Sequence, residues 1–184
     1  MLLPIIEGHA FSLEVGEWVI GTALAQINQW QSMAINLPIS VNISAYQLQQ
    51  DNFHTRLATL LAAHPEVDPY SLELEILETS ELSDINRVSA TMDACHALGV
   101  RFALDDFGTG YSSLTHLRRL PAYLIKVDQS FVRDMLVDDD DLAIIEGVVA
   151  LANTFRREVI AEGVETIAHG EALFRLGCNL AQGY

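Results

Sequence analysis

A parallel α/β fold is predicted for this chain. Apolar runs of strand length alternate with helical patterns, the connections between successive strands are long enough to hold a helix, and no low-complexity linker or basic tail interrupts the alternation. Hairpins need far shorter connections, so neighbouring strands should run parallel. At 184 residues and 50% apolar content the chain can bury a substantial core, and its length suits one domain over residues 1–184.

The elements follow from periodicity and punctuation. Val15, Val19, Ala23, Ile27 and Trp30 recur every three or four positions and predict a first helix over Val15–Trp30, with Trp18 and Trp30 as core residues. A strand, Ile39–Ser44, follows Pro38, and Ala45–Ala63 reads as the next helix. Strand Leu72–Leu77 leads to a helix from about Ser83 to Leu98, with Ser83 and Asp84 as caps and Gly99 as its stop. Strand Phe102–Asp106 pairs with a short helix near Ser113–Leu120, which Pro121 terminates before strand Tyr123–Val127. After a loop, Asp140–Arg157 is helical, Glu158–Glu162 a strand, Thr166–Leu176 a helix and Asn179–Gln182 the last strand. Asp138–Asp141 reads as solvated acids that favour the N-terminus of the helix they precede.

Six strands fit either a doubly wound sheet or an eight-stranded (β/α) barrel. A barrel of that kind typically takes about 250 residues, so a barrel here would lack one or two strand-helix units.

Composition narrows the function. The net charge of −15 opposes general affinity for nucleic acid, so no DNA partner is expected. Cys95 and Cys178 sit in apolar segments without CxxC spacing and read as buried thiols of a reducing compartment. No apolar run reaches the ~18 residues of a bilayer span, and the opening residues lack the basic region of a signal peptide. A cytoplasmic location is the expectation.

In both parallel architectures chemistry gathers where strands end. The predicted strand ends carry Asn42, Glu75, Asp105 with Asp106, Lys126, Glu162 and Gln182, polar groups where a packed interior prefers Val or Ile. The stretch Leu104-Asp105-Asp106-Phe107-Gly108-Thr109-Gly110 is the most telling. Successive strand residues point to opposite faces, so the two acids converge only if the strand ends there, and Gly108 and Gly110 permit such a break. A plainer alternative has the acids cap the helix near Ser112.

Several carboxylates around one point resist joint ionisation unless cations neutralise them. Oxygen donors without His or Cys favour Mg²⁺, Mn²⁺ or Ca²⁺ over Zn²⁺. His9, His54, His64, His96, His116 and His169 form no ligand-spaced pair and read as surface or packing residues. Lys126 is either a catalytic cation beside the acids or a core lysine that they neutralise. Glu165, in Ala161-Glu162-Gly163-Val164-Glu165, serves the site or favours the next helix N-terminus.

These residues also match a family. Asp105-Asp106-Phe-Gly-Thr-Gly-Tyr-Ser-Ser, with Val41-Asn42-Ile-Ser, Leu74-Glu75-Ile-Leu-Glu78, Ile125-Lys126-Val-Asp128, Ala161-Glu162-Gly-Val-Glu165 and Gln182-Gly-Tyr, resembles the EAL family of cyclic di-GMP phosphodiesterases, in order from Pro4 to Tyr184. The resemblance implies a TIM-like (β/α)8 barrel of EAL type, incomplete in this chain at about six strand-helix units. It implies two Mg²⁺ or Mn²⁺ ions and hydrolysis of cyclic di-GMP to pGpG. Asn42, Glu75, Asp105, Asp106 and Glu162 then resemble metal ligands, while Lys126 positions the attacking water and Glu162, Glu165 and Gln182 complete the catalytic set. Glu78 would hold the Asp106-to-Ser113 loop, which in this family often joins a homodimer interface. Regulatory or diguanylate-cyclase-like domains are expected upstream.

Departures from the family pattern are also expected. Its eponymous Glu-Ala-Leu motif, on an early strand with a metal-ligating glutamate, has no counterpart read in this chain. The start at Pro4-Ile5-Ile6-Glu7 and Gly16-Glu17-Trp18 suggests a domain lacking its first strands, and the end at Tyr184 one lacking its extreme C-terminal tail. Impaired turnover follows from that reading, and a catalytically inactive cyclic di-GMP receptor is the alternative. An enolase-type barrel with a lysine base fits the residue types without the ordered motifs. A protein kinase, suggested by Asp106-Phe107-Gly108, lacks the His-Arg-Asp loop.

Overall fold

A computed structural model describes residues 10–80, 82–110 and 113–184. The expectations for Pro4–Glu7, His9, Tyr111 and Ser112 lie outside the described residues. The fold is the α/β fold expected, six strand-helix units of an incomplete (β/α) barrel. The six strands among the described residues form one sheet in chain order, and the pairs β1–β2, β3–β4, β4–β5 and β5–β6 are parallel. The chain divides into two compact units, Met1–Ile76 with Ser80–Phe102 and Arg119–Pro121, and Leu77–Thr79 with Ala103–Arg118 and Ala122–Tyr184.

The first unit holds α1 (Ala10–Ser32), β1 (Ile39–Asn42), α2 (Ala45–Leu48), α3 (Phe53–Ala62), a 3₁₀ turn (Pro69–Ser71), β2 (Leu72–Leu77, its last residue in the second unit) and α4 (Ile85–His96). Its core gathers Ile20, Leu24 and Ile27 with Leu57, Leu72, Leu74, Val88 and Met92. The buried stripe of α1 is turned from the predicted one. Ala23 and Ile27 are buried and are joined by Ile20 and Leu24, whereas Val15, Val19 and Trp30 are half-buried and Trp18 is 70% exposed rather than a core residue. Gly16 explains the close approach of α1 to α2, since a Cβ there would overlap the Gln47 side chain.

The helix predicted over Ala45–Ala63 is two helices. Ser44 and Gln47 close a capping box at the start of α2. Residues 49–52 then leave the helix, and the Gln49 side chain accepts hydrogen bonds from the main chain and hydroxyl of Ser83. Tertiary contact thus overrides a continuous helical pattern. Asp84 caps α4, its carboxylate accepting from the N–H groups of Asn86 and Arg87 at 3.1 Å each.

The second unit holds β3 (Arg101–Phe107, from Ala103 onward), α5 (Ser113–Arg119), β4 (Leu124–Val127), α6 (Gln129–Asp134), α7 (Asp139–Thr154), β5 (Glu158–Ala161), α8 (Ile167–Leu176) and β6 (Leu180–Ala181). Leu104, Phe107, Ile125, Val127, Val132, Ile145, Val149 and Ala152 form its core. Helix α6 stands where a loop was expected, because Asp128 caps a segment too short to show periodicity. Helix α7 starts beside its cap Asp138 and ends before Arg157, with Arg156 in the left-handed region at φ 57°. Cys95 and Cys178 are buried free thiols, and burial pushes Cys95 up to about 12. No helix among the described residues is long and apolar enough to cross a membrane.

Replacing the α4 cap tests this account. Asp84→Ala should cost about 1 kcal/mol in urea unfolding, with an unchanged m-value because the exposed surface on unfolding is the same.

Candidate metal centre

The site forms within the second unit, at the ends of β3, β4 and β5. Along β4, Leu124 and Lys126 share one face, while Ile125 and Val127 point to the other. Lys126 is buried, and its Nζ lies 2.9 Å from Asp105 Oδ1 and 2.8 Å from Glu162 Oε1. Both carboxylates offset the desolvation of the ammonium, and Lys126 in turn draws two acids from neighbouring strands to one point.

Asp105 and Asp106 converge in a way that strand geometry alone does not allow. Strand β3 does not end at them. Leu104 pairs with Ile125 and Phe107 with Val127, so three steps on β3 oppose two on β4, which is a bulge of one residue. Asp106 sits in the bulge at φ 52°, a left-handed conformation uncommon for a residue other than Gly, and it thereby turns toward the side that Asp105 faces. Oxygen atoms of Asp105, Asp106 and Glu162 all lie within 4.8 Å of one another. The helix-capping alternative for the two acids is therefore set aside. Of the two loop glycines, Gly108 has φ 106° while Gly110 answers a need for space, a Cβ there lying 2.7 Å from Glu78 Oε1.

Glu78 is almost wholly buried. Its Oε2 accepts from the N–H of Gly108 at 2.8 Å and of Gly110 at 3.1 Å, and its own N–H donates to the Asp105 carbonyl at 2.9 Å. One residue thus ties the bulge to the turn that follows it.

Asp128 belongs to the site electrostatically, although the sequence reading assigned it no role. Its carboxylate caps α6 by accepting from Ser130 and shares a hydrogen bond with Asp106. Burial, then Asp105, then the Asp128 bond and charge, then Glu162, push Asp106 up to about 6. At Asp128 burial also acts upward, but the Ser130 hydroxyl and N–H and the Asp106 bond outweigh it and hold the group below its ordinary value. Of the two, Asp106 is therefore the one that takes up a proton first as pH falls. The signal for Asp128 was its spacing, two residues after Lys126 and one past the end of β4.

Other expected site residues stand as follows. In the first unit Asn42 and Glu75 are register partners on β1 and β2, Glu75 buried and Asn42 exposed. Glu73, which the sequence reading passed over, is also buried and accepts from the Ser40 hydroxyl at 2.7 Å. Its parity with Glu75 on a two-residue period was the available signal. Glu165 is exposed beside Thr166, the cap of α8. Gln182 is exposed and engages by its main chain, donating to Ala161 at 2.8 Å and accepting from Val164 at 3.0 Å.

The donor set fits a divalent cation. Three carboxylates, with Asp128 behind them, face the single ammonium of Lys126, and the raised Asp106 records the excess of negative charge. Oxygen donors of this kind suit Mg²⁺ or Mn²⁺.

A parallel α/β domain with an acidic metal centre at its strand ends is the class that this geometry defines. The EAL domain matches over residues 1–184, and the chain belongs to the EAL family. It is 38% identical over 183 residues to the bifunctional diguanylate cyclase/cyclic di-GMP phosphodiesterase MucR of Pseudomonas aeruginosa, which covers 99% of this chain and 27% of that relative. Among solved structures it resembles the MucR phosphodiesterase in complex with cyclic di-GMP, with TM-score 0.89, 38% identity, and coverage of 98% of this chain and 73% of that one. It also resembles BlrP1 of Klebsiella pneumoniae in a manganese and cyclic di-GMP complex, with TM-score 0.82, 28% identity, and coverage of 94% and 43%. The chain spans between a quarter and a third of the length of its first curated relatives.

These matches correct the expectation of an N-terminally truncated, motif-deficient member. The family match begins at residue 1 and runs to residue 184, and the alignment to the MucR structure takes in 98% of the chain. The tripeptide Glu171-Ala172-Leu173 does occur, in α8, where Glu171 is exposed and paired with Arg175 at 3.2 Å.

A sign follows for pH. A carboxyl whose folded pKa is raised costs stability at neutral pH, and that cost fades as pH falls through the folded value. In chelator, Asp106→Asn should therefore raise the Tm at pH 7.5, with the gain shrinking below about pH 6 and gone near pH 4. A gain independent of pH would show that Asp106 carries no raised pKa.

Proposed function

We propose that this domain is a cyclic di-GMP phosphodiesterase that opens one of the two phosphodiester bonds of its substrate to yield pGpG. The observation that carries this reading is the cluster of Asp105, Asp106 and Glu162 around Lys126 in a chain of the EAL family. The relatives support it: MucR bears the phosphodiesterase name, and both solved relatives described above hold cyclic di-GMP, one of them with manganese.

Two Mg²⁺ or Mn²⁺ ions are the proposed cofactors, with Asp105, Asp106 and Glu162 as ligands and Asn42 and Glu75 added by family resemblance. When bound, such ions acidify water and withdraw charge from a phosphodiester. Lys126 would orient the attacking water through Nζ, since Asp105 and Glu162 fix the ammonium from two sides. Water supplies the new oxygen on phosphorus, and the ribose oxygen leaves with a proton. Asp106 and Asp128 form an acid pair able to hold one proton between them near pH 6. Glu165 and Gln182 keep their proposed roles from the family motif. A homodimer, regulatory or diguanylate-cyclase-like partner domains, and a cytoplasmic compartment suited to two free thiols complete the proposal.

Incubation with cyclic di-GMP and Mn²⁺ should yield pGpG, and excess chelator should abolish the product. Lys126→Ala should lower kcat at least about a hundredfold. Tight binding of cyclic di-GMP by the wild-type chain without product under Mn²⁺ would make the domain a receptor instead.

A further inference from the structure

Glu162 stands just past β5, and Gly163, Val164 and Glu165 continue from it as irregular backbone toward α8. A carboxylate on such a stretch keeps its place only where the main chain around it is tied down. On one side the Glu162 N–H donates to the Val127 carbonyl at 3.2 Å, and Gly163 packs on the start of α6, where a Cβ would lie 2.7 Å from Gln129 Cβ. On the other side lies the segment that follows β6. The Gln182 N–H donates to the Ala161 carbonyl at 2.8 Å, and the Gln182 carbonyl accepts from the Val164 N–H at 3.0 Å. Main-chain bonds of one residue thus bracket Glu162, one position before it and two positions after it.

That bracket needs a bare main chain at position 183. A Cβ there would lie 2.6 Å from both the carbonyl carbon and the nitrogen of Val164, and nearer still to its oxygen. Non-bonded carbon atoms settle at about 3.5 Å or more, and a backbone cannot swing aside as the end of a flexible side chain does. With a side chain at 183, either the segment after β6 lifts away or the turn retreats, and both movements break the Val164–Gln182 hydrogen bond. The same turn carries Glu162, whose Oε1 lies 2.8 Å from Lys126 Nζ and whose ligand oxygen lies within 4.8 Å of those of Asp105 and Asp106. Metal-ligand distances tolerate an error of only about 0.2 Å.

We propose that Gly183 is a positioning residue: it lets the Gln182 main chain hold Val164, and so keeps the Glu162 carboxylate facing Lys126, Asp105 and Asp106. The Gln182 side chain takes no part in this hold, because both of the bonds are made by main-chain groups. The effect of Gly183 on turnover rests on the phosphodiesterase reading; its effect on the turn does not.

The test measures amide hydrogen exchange and side-chain carboxyl ¹³C shifts by NMR in the metal-free protein. Gly183→Ala should speed exchange at Val164 about tenfold and shift the Glu162 carboxyl signal, while Ile125 and Val149 in the same unit stay protected. Gln182→Ala should leave the Val164 amide protected. Gly170→Ala, at a glycine of α8 with open space around it, should leave Val164 exchange and the Glu162 signal as in the wild type. Titration with Mn²⁺ alone should show about tenfold weaker binding by Gly183→Ala and unchanged binding by Gly170→Ala. With Mn²⁺ and cyclic di-GMP, Gly183→Ala should lower kcat with little change in KM. Unchanged Val164 exchange in Gly183→Ala, loss of protection equal at Val164, Ile125 and Val149, or a Glu162 signal and Mn²⁺ affinity both unmoved would overturn the assignment. Wild-type protein that turns over no cyclic di-GMP while the exchange and ¹³C pattern holds would overturn the phosphodiesterase reading and leave Gly183 with the turn.

Discussion

Crowding of carboxylates at the end of β3 is the constraint on which the second unit depends. Asp105 and Asp106 are adjacent in the chain, Glu162 reaches them from β5, and Asp128 stands behind, so the region carries far more negative charge than one buried lysine can neutralise. Lys126 meets part of the excess by bridging two acids, and as pH falls through about 6 a proton on Asp106 meets another part. A bound divalent cation would answer the remainder, which is why a cluster costly to the empty protein is useful to a metalloenzyme.

Backbone strain is the second ingredient, and it serves the first. A regular strand would send Asp105 and Asp106 to opposite faces. The bulge at Asp106, with its positive φ, sets both acids on one side, and such a conformation persists only where surrounding contacts over-determine it. Those contacts converge on Glu78, which holds the Asp105 carbonyl and the Gly108 and Gly110 amides together. Strained backbone and clustered charge are therefore parts of one arrangement.

Much of this was legible before any coordinates. The strand-helix alternation foretold the parallel sheet because the spacing excludes hairpins. Polar residues at strand ends pointed to Lys126, Asp105, Asp106 and Glu162, whose charged side chains are costly in a packed interior unless they are paired there. Helix α6 and the break between α2 and α3 were not legible, since a six-residue helix shows no period and Gln49 leaves its helix to meet a residue 34 positions away. The inward face of α1 was legible at Ala23 and Ile27 but not at Ile20 and Leu24, and Trp18 lies on its exposed side. Asp128 and Glu73 went unassigned because each looks in sequence like an ordinary cap or strand-face acid.

What the amino-acid sequence determined by itself is the alternation of elements, the chemistry of the ligands and membership of a family, because periodicity and residue type are local properties and ordered motifs survive without coordinates. Tertiary structure decided which acids meet. The side on which Asp106 points depends on a bulge that exists only when β3 is paired with β4, and its proton depends on neighbours brought from β5 and from the start of α6. Those are non-local contacts, and charge coupling falls with distance in space, not along the chain.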